Sequence, residues 1–144
     1  MPHINANIED LVHQGPILPI RFTISLALET ALRQTNLSKT LDIADSLAMI
    51  DTGATRTVVN PSIIQKLNLH PIGQVQINTP SSVNVNCFEY AVRIIFPNNI
   101  VINDMIVIDA PLSGQHIQCL IGRDLLSLST FYYNGTNNSF SLSL

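Results

Sequence analysis

The sequence contains little charge, and its small net charge is acidic. Only 12% of its 144 residues are charged, with 7 Lys+Arg against 10 Asp+Glu, whereas globular proteins usually carry about twice that share. Because no basic block is present, the electrostatic footprint of nucleic-acid binding is missing, and no nucleic-acid partner is expected. Hydrophobic residues make up 46% of the chain, so we expect much of it to lie in a core or an interface.

The sequence also lacks an uninterrupted apolar run long enough to cross a bilayer. Residues 1–5 have neither the basic nor the apolar region of a signal peptide, so we expect a cytosolic protein with no membrane partner. Two cysteines, Cys87 and Cys119, make no disulfide framework in a domain of this size and are expected as buried thiols. The four histidines lack metal-like spacing, and neither a metal nor another cofactor is expected.

What the sequence does contain is a series of β-strand patterns. Apolar residues alternate over residues 17–28, and further apolar runs are bounded by turn residues. We predict these further strands at 46–50, 58–59, within a long hairpin over 73–96, and at 100–108, 117–121, 131–133 and 140–144. Asn60-Pro61 predicts the start of a short helix over 61–68, and residues 123–128 suit one or two helical turns. About nine strands and two short helices predict a mostly-β domain with a closed or orthogonally packed sheet.

The chain is expected to form a single domain over residues 16–144, preceded by a loosely held arm at 1–15. The polar stretch 29–45 is expected to be an insertion or a long connection. Within the long hairpin the apolar positions change from odd to even at residues 87–88, which predicts a bulge or a sharp twist there. Glu89 and Arg93 are expected to form a solvated pair.

One acidic side chain follows directly on a predicted buried strand. Asp51 comes after the apolar residues Met49 and Ile50, and the β-branched residues Val58 and Val59 begin the next strand. A carboxylate at such a bend is costly unless it is hydrogen-bonded or takes part in chemistry. It can form the turn through its own backbone, or it can be a catalytic group.

Two segments decide between these interpretations, because together they resemble the retropepsin-like aspartic peptidases. The first is Ile50-Asp51-Thr52-Gly53-Ala54, and the second is the stretch Leu-Ile-Gly-Arg-Asp-Leu-Leu at residues 120–126. The resemblance covers residues 17–144, with 29–45 as an insertion. It implies a single-domain, closed acid-protease β-barrel and an aspartic endopeptidase that hydrolyses peptide bonds in extended polypeptide.

The number of acids determines the expected assembly. Peptide hydrolysis of this kind needs two carboxylates across one water, one ionised and one protonated. That such a dyad shares a proton is a general property of aspartic proteases and is not deduced from this sequence. The chain has one Asp-Thr-Gly, and neither Asp109 nor Asp124 is followed by the Thr/Ser-Gly of a tight turn. The site therefore requires Asp51 from two chains, and a homodimer is expected.

The resemblance also implies roles for individual residues. Asp51, Thr52 and Gly53 would form the catalytic turn, and Gly122, Arg123 and Asp124 would support it from behind. A flap would close over the substrate polypeptide. The implied substrate-binding residues, which follow the catalytic turn or lie on the flap, are Ala54, Thr55, Ile77, Asn78, Thr79, Pro80, Ser81 and Ser82.

Two departures from the family pattern change these expectations. Retroviral members carry an acid at the position of Thr55, which pairs with the arginine at the position of Arg123. That ion pair is expected to be absent here or redirected to Asp124. The flap tip at residues 80–82 also lacks the glycines of the retroviral enzymes. The alternative function is a catalytically inactive module on the same fold that binds peptide or serves dimerisation.

Overall fold

The computed structural model of the chain describes residues 2–35, 41–112 and 114–144. Ten strands lie within them: β1 His3–Asn7, β2 Ile17–Ile24, β3 Ala44–Ile50, β4 Val58–Val59, β5 Gly73–Thr79, β6 Ser82–Phe96, β7 Ile100–Asp109, β8 Cys119–Ile121, β9 Thr130–Asn134 and β10 Ser139–Ser143. The helices are α1 Leu11–Gln14, α2 Leu26–Gln34, α3 Pro61–Leu67, α4 Arg123–Leu126 and a 3-10 helix at Pro97–Asn99. The predicted mostly-β fold class is confirmed.

Seven strands form one sheet in the order β2-β3-β8-β4-β7-β6-β5. An additional pairing between β2 and β6 joins six of these strands into a ring and leaves β5 outside it. Most neighbours are antiparallel, but β3 runs parallel to β8, and β4 runs parallel to β7. Strands of the ring contribute to the main apolar core, and the side chains of Phe22, Ile94 and Ile121 are fully buried in it.

The loose attachment expected for the N-terminal arm is wrong for residues 3–7. This segment is β1, which pairs with β10 over its whole length in a small sheet of order β1-β10-β9. Ile4 and Leu11 are buried in the main core. Apolar side chains on one face of the sheet therefore hold the start of the chain, although its periodicity is too weak to predict a strand.

The alternation over residues 17–28 predicts a strand that is four residues too long. β2 ends at Ile24, and α2 begins at Leu26. Ser25 caps the helix, because its side chain accepts a hydrogen bond from the N–H of Leu28. Helix α2 takes up the first part of the stretch expected as an insertion, and residues 36–40 of that stretch lie outside the described residues. No helix in the described ranges is long and apolar enough to span a membrane.

Helix α2 is held to the ring by an ion pair that corrects another expectation. Glu29 bonds to Arg93 on β6 and to Arg33 one helical turn away. The hydrogen bond from Arg93 lowers the pKa of the Glu29 carboxyl, although burial opposes that shift. Arg93 is thus not in a solvated pair with Glu89, because Glu89 bonds to Arg56 instead.

The predicted long hairpin is formed by β5 and β6, without the expected bulge at residues 87–88. The pairing runs without interruption from Gly73 opposite Glu89 to Ile77 opposite Val85. The apolar face changes because β6 packs against two different clusters. Its even-numbered residues from Tyr90 onward enter the main core, whereas Cys87 enters a second cluster with Val58, Ile108 and Leu112. We call residues 73–88 the outer hairpin.

Both cysteines are buried free thiols, as predicted. Cys87 lies in the second cluster and Cys119 in the main core. Burial raises the pKa of each thiol; the charge of Asp109 adds to the shift at Cys87, and that of Asp124 to the shift at Cys119. A raised pKa keeps both in the unreactive protonated form at neutral pH.

Candidate active site

Asp51 lies at the first bend after β3. Ile50 is opposite Ile121 in the parallel pair β3–β8, and the N–H of Asp51 continues this pairing by donating to the carbonyl of Ile121 at 2.9 Å. The N–H of Gly53 donates to Oδ1 of Asp51 at 2.9 Å, and the N–H of Ala54 donates to the backbone carbonyl of Asp51 at 3.1 Å. One carboxylate oxygen thus closes a tight turn that leaves the side chain half-buried.

The turn belongs to the Asp51 loop, residues 51–57, which is bonded along its length to residues 121–124. The N–H of Arg123 donates to the carbonyl of Ala54 at 2.8 Å, and the N–H of Asp124 donates to that of Thr55 at 3.1 Å. A Cβ atom on Gly122 would lie 2.4 Å from the carbonyl oxygen of Arg56. Only glycine permits this approach of the two backbones.

Thr57 connects the two segments and is not among the site residues predicted from the sequence. Its side chain is fully buried; the hydroxyl accepts from the N–H of Gly122 at 3.1 Å and donates to Oδ1 of Asp124 at 2.7 Å. The N–H of Thr57 donates to Oδ2 of the same carboxylate at 2.9 Å. In the sequence, Thr57 is marked only by its position between a charged residue and an apolar strand. Many surface threonines share that position, so it does not identify a site residue.

The arginine of the second segment does not pair with Asp124, so the expected redirection is wrong. One guanidinium nitrogen of Arg123 donates to the carbonyl of Thr52 at 2.7 Å, and another donates to the hydroxyl of Thr55 at 3.2 Å. The other expectation, that this ion pair is absent, is confirmed, because Arg123 bonds to the neutral hydroxyl of Thr55 instead. Arg123 holds the outer side of the Asp51 loop, whereas Asp124 holds its inner side.

Comparison with known proteins agrees with this geometry. The family model described as aspartyl protease matches residues 44–125, more than half of the chain and both segments of the site. The chain belongs to the aspartyl protease family. No curated protein matches it significantly.

Two solved structures resemble this aspartyl protease fold. A retropepsin-like aspartic protease from Rickettsia conorii superposes with a TM-score of 0.57 at 14% identity, over 98% of this chain and 90% of that one. The retroviral protease-like domain of Ddi1 from Leishmania major gives a TM-score of 0.44 at 14% identity, over 87% and 86%. At this identity the first likeness concerns the fold, which agrees with the retropepsin-like resemblance of the sequence.

In this member of the aspartyl protease family, the outer hairpin carries the predicted flap residues. Its tip turns at Pro80 and Ser81, and the hydroxyl of Thr79 accepts from the N–H of Ser82 at 3.1 Å. Beyond the tip, Asn84 has a left-handed conformation with φ of 55°, and its N–H donates to Oδ1 of Asn78 at 3.0 Å. No hydrogen bond within the described residues joins the tip to the Asp51 loop, so the structure brings the catalytic and supporting residues together but not the flap residues.

An apolar wall connects the two parts. The second cluster continues from its buried residues to partly buried side chains on the outer hairpin, directly after β7 and on β8. These partly buried members are Val75, Ile77, Val85, Ala110 and Leu120. Val58 directly follows the Asp51 loop, and Leu120 directly precedes Ile121, whose carbonyl accepts from the N–H of Asp51. The wall therefore adjoins both segments of the site along the chain.

A separate groove of about 580 Å³ is lined by residues of β2, β3 and the 3-10 helix, including Pro19, Leu47 and Asn98. None of residues 51–55 lines it. Within the described parts of the chain, no group of three His, Cys, Asp or Glu side chains is arranged to hold a metal ion. At the bend itself, the Asp51 carboxylate accepts from the N–H of Gly53 and is half-buried.

Proposed function

We propose that this protein is an aspartic endopeptidase whose active site combines Asp51 from two copies of the chain. The observation that carries the proposal is the half-buried Asp51 carboxylate, which stands on a tight turn bonded on both sides to residues 121–124. The other acids of the region are engaged elsewhere: Asp124 bonds to Thr57, and Asp109 accepts from the N–H of Phe88. A second carboxylate must then come from a second chain.

In the proposed reaction a water lies between an ionised and a protonated Asp51. The ionised carboxylate removes a proton from the water as its oxygen attacks the peptide carbonyl carbon, and the protonated one gives its proton to the carbonyl oxygen. In the resulting diol, the carboxylate that is now ionised takes a hydroxyl proton while the other gives a proton to the nitrogen. The C–N bond breaks, releasing an acid and an amine. Since the two carboxylates share one proton, as is general for aspartic proteases, we expect cleavage favoured at acidic pH.

The substrate is proposed to be an extended polypeptide. The carbonyl of Gly53 and the backbone of Ala54 and Thr55 would pair with its main chain, and residues 77–82 would close over it as a flap. The apolar wall of the second cluster favours apolar side chains beside the cleaved bond. Thr52 would bond across the two-fold axis, and Gly122, Arg123 and Asp124 would hold the loop in place.

The first experiment tests the acid. An unstructured polypeptide is incubated with the protein from pH 3 to pH 7, and a statine-type transition-state analogue is expected to inhibit its cleavage. Asp51→Asn should lower kcat by about a thousandfold with the molecular mass in solution unchanged. Asp45→Asn, which changes an exposed acid on β3, serves as the control and should keep full activity. Unchanged cleavage by Asp51→Asn would show that the catalytic assignment is wrong.

The second experiment tests whether the site is shared. Wild-type and Asp51→Asn chains are mixed in equal amounts and allowed to exchange subunits. If both carboxylates are needed, only about one dimer in four is active, and activity per total protein falls to a quarter. A site complete within one chain would retain half. A dimer that cleaves nothing over the whole pH range would favour the alternative, a peptide-binding or dimerisation module.

A further inference from the structure

The outer hairpin joins the body of the protein at a defined residue. Glu89 is opposite Gly73 of β5 on one side and Ile108 of β7 on the other. Beyond it, from Phe88 to Ser82, β6 pairs with β5 alone. The N–H of Phe88 donates instead to the side chain of Asp109 at 2.9 Å, so the ladder with β7 ends at this point. Glu89 therefore marks the root of the outer hairpin.

The side chain of Arg56 reaches this root from the Asp51 loop. Its terminal nitrogen donates to Oε2 of Glu89 at 2.8 Å, and its Nε lies 3.6 Å from Oδ2 of Asp124. The three side chains are only 21–25% exposed. The carboxylate of Glu89 also depends on Gly73, because a Cβ there would lie 2.8 Å from Oε1. One guanidinium thus bridges the loop, the hairpin root and the start of α4.

We propose that Arg56 is a positioning residue that clamps the root of the outer hairpin to the Asp51 loop. The backbone of Arg56 is itself fixed, since its carbonyl packs against Gly122. A hairpin held at Glu89 can move only beyond that residue, where β6 has a single pairing partner. The clamp keeps the root at a constant height above Asp51 while the tip opens and closes.

The role in catalysis rests on the proposed peptidase function, but the mechanical role does not. If a substrate is covered by the hairpin, loosening its root weakens the closed complex and leaves the acid in place. Arg56→Met should then raise KM about fivefold and change kcat less than twofold. A residue that only supported the fold would lower the amount of active protein, and therefore apparent kcat, without this change in KM.

The two cysteines provide a test that needs no activity. Cys87 lies on the outer hairpin, two residues from its root, and is buried in the second cluster, whereas Cys119 is buried in the main core. Opening of the root exposes Cys87 alone, and wider unfolding exposes both. The experiment labels the native protein with a thiol reagent at fixed pH and follows each cysteine by peptide mass spectrometry. Arg56→Met should label Cys87 about fivefold faster with the Cys119 rate unchanged.

Four further variants distinguish the clamp from general destabilisation. Glu89→Gln should reproduce the effect, and the double variant with Arg56→Met should add nothing to it, because either change removes the same bond. Gly73→Ala should act in the same direction by displacing the Glu89 carboxylate. Arg56→Lys, which keeps the charge, should recover part of the wild-type rate.

The outcomes separate the two proposals. Equal acceleration of Cys87 and Cys119, or no acceleration of either, would overturn the clamp. The labelling should be the same in an Asp51→Asn background, because that substitution leaves the root untouched. A protein without peptidase activity that still shows selective Cys87 labelling would contradict the proposed function and leave the clamp standing.

Discussion

The Asp51 loop and the outer hairpin, the two sides of the proposed cleft, are built in opposite ways. The loop is bonded to residues 121–124 by backbone groups and by Thr57, which is fully buried. The outer hairpin pairs along one side only, and two of its apolar side chains, Val83 and Phe88, are 76% and 45% exposed. One side of the cleft is part of the core, and the other projects from it.

The difference shows where an exact geometry is maintained and where movement is possible. A carboxylate must be held closely to act on a bond, and the loop achieves this by sharing its bonds with the fold as a whole. A segment with one pairing partner can rearrange without disturbing that fold. Changes to the loop should therefore cost global stability, and changes to the outer hairpin should not.

The largest loss of stability is expected from a substitution at Gly122, where the backbone of the Asp51 loop is approached most closely. Gly122→Ala would place a Cβ 2.4 Å from the carbonyl oxygen of Arg56, and neither backbone can move without breaking the bonds around Asp51. We expect the free energy of unfolding to fall by about 3 kcal/mol in urea denaturation. Gly135→Ala is the control, because its Cβ would meet only the ring of Tyr133 at 3.4 Å. Equal losses in the two variants would contradict the close approach.

A smaller loss is expected when the bonds of one buried hydroxyl are removed. Thr57→Val preserves the shape of the side chain but leaves the N–H of Gly122 and one oxygen of Asp124 without this partner. The free energy of unfolding should fall by about 2 kcal/mol. Thr55→Val removes an exposed hydroxyl that only Arg123 contacts and should cost less than about 0.5 kcal/mol. A Thr57 variant as stable as the Thr55 variant would show that the loop is held by its backbone alone.

The ion pair that holds α2 to β6 should affect stability less, and only in one pH range. Because the pKa of Glu29 is lowered from 4.5 in the folded protein, its ionised form stabilises the fold above that value and loses the effect as pH falls through the lowered pKa. Glu29→Gln should therefore lower Tm at pH 7, and the difference from wild type should shrink below about pH 4. Glu9→Gln, at an exposed position, is the control. A difference that does not depend on pH would exclude the ion pair as its cause.

Strands, turns and the acid could be predicted from the sequence because each depends on local pattern. The fold class, α3 and the long hairpin follow from apolar spacing and from Asn60-Pro61. The alternation that continued to Leu28 was misleading, since a serine cap at residue 25 changes the chain from strand to helix. Over only four residues, the apolar pattern of a strand and that of one face of a short amphipathic helix are too similar to be distinguished.

Partners across the fold could not be predicted, because they depend on which strands become neighbours. Glu89 and Arg93 are four residues apart, yet each bonds to a residue more than thirty positions away, Arg56 and Glu29 respectively. The same applies to Thr57, whose partners are about sixty-five positions away. Sequence spacing contains no information about such contacts, so the ion pair between Arg56 and Glu89 is found only in the structure.

The smallest change in stability is expected at the tip end of the outer hairpin. In contrast to the Asp51 loop, a substitution there should affect substrate binding and not stability. Val83→Ser replaces an apolar side chain that is 76% exposed, and Val12→Ser, on α1, does the same at 77%. The free energy of unfolding of both variants should be within about 0.5 kcal/mol of the wild-type value. If the hairpin covers the substrate, only Val83→Ser loses buried apolar area in the complex, and its KM should rise about threefold with kcat unchanged. Equal KM values for the two variants would mean that this end of the hairpin does not contact the bound polypeptide.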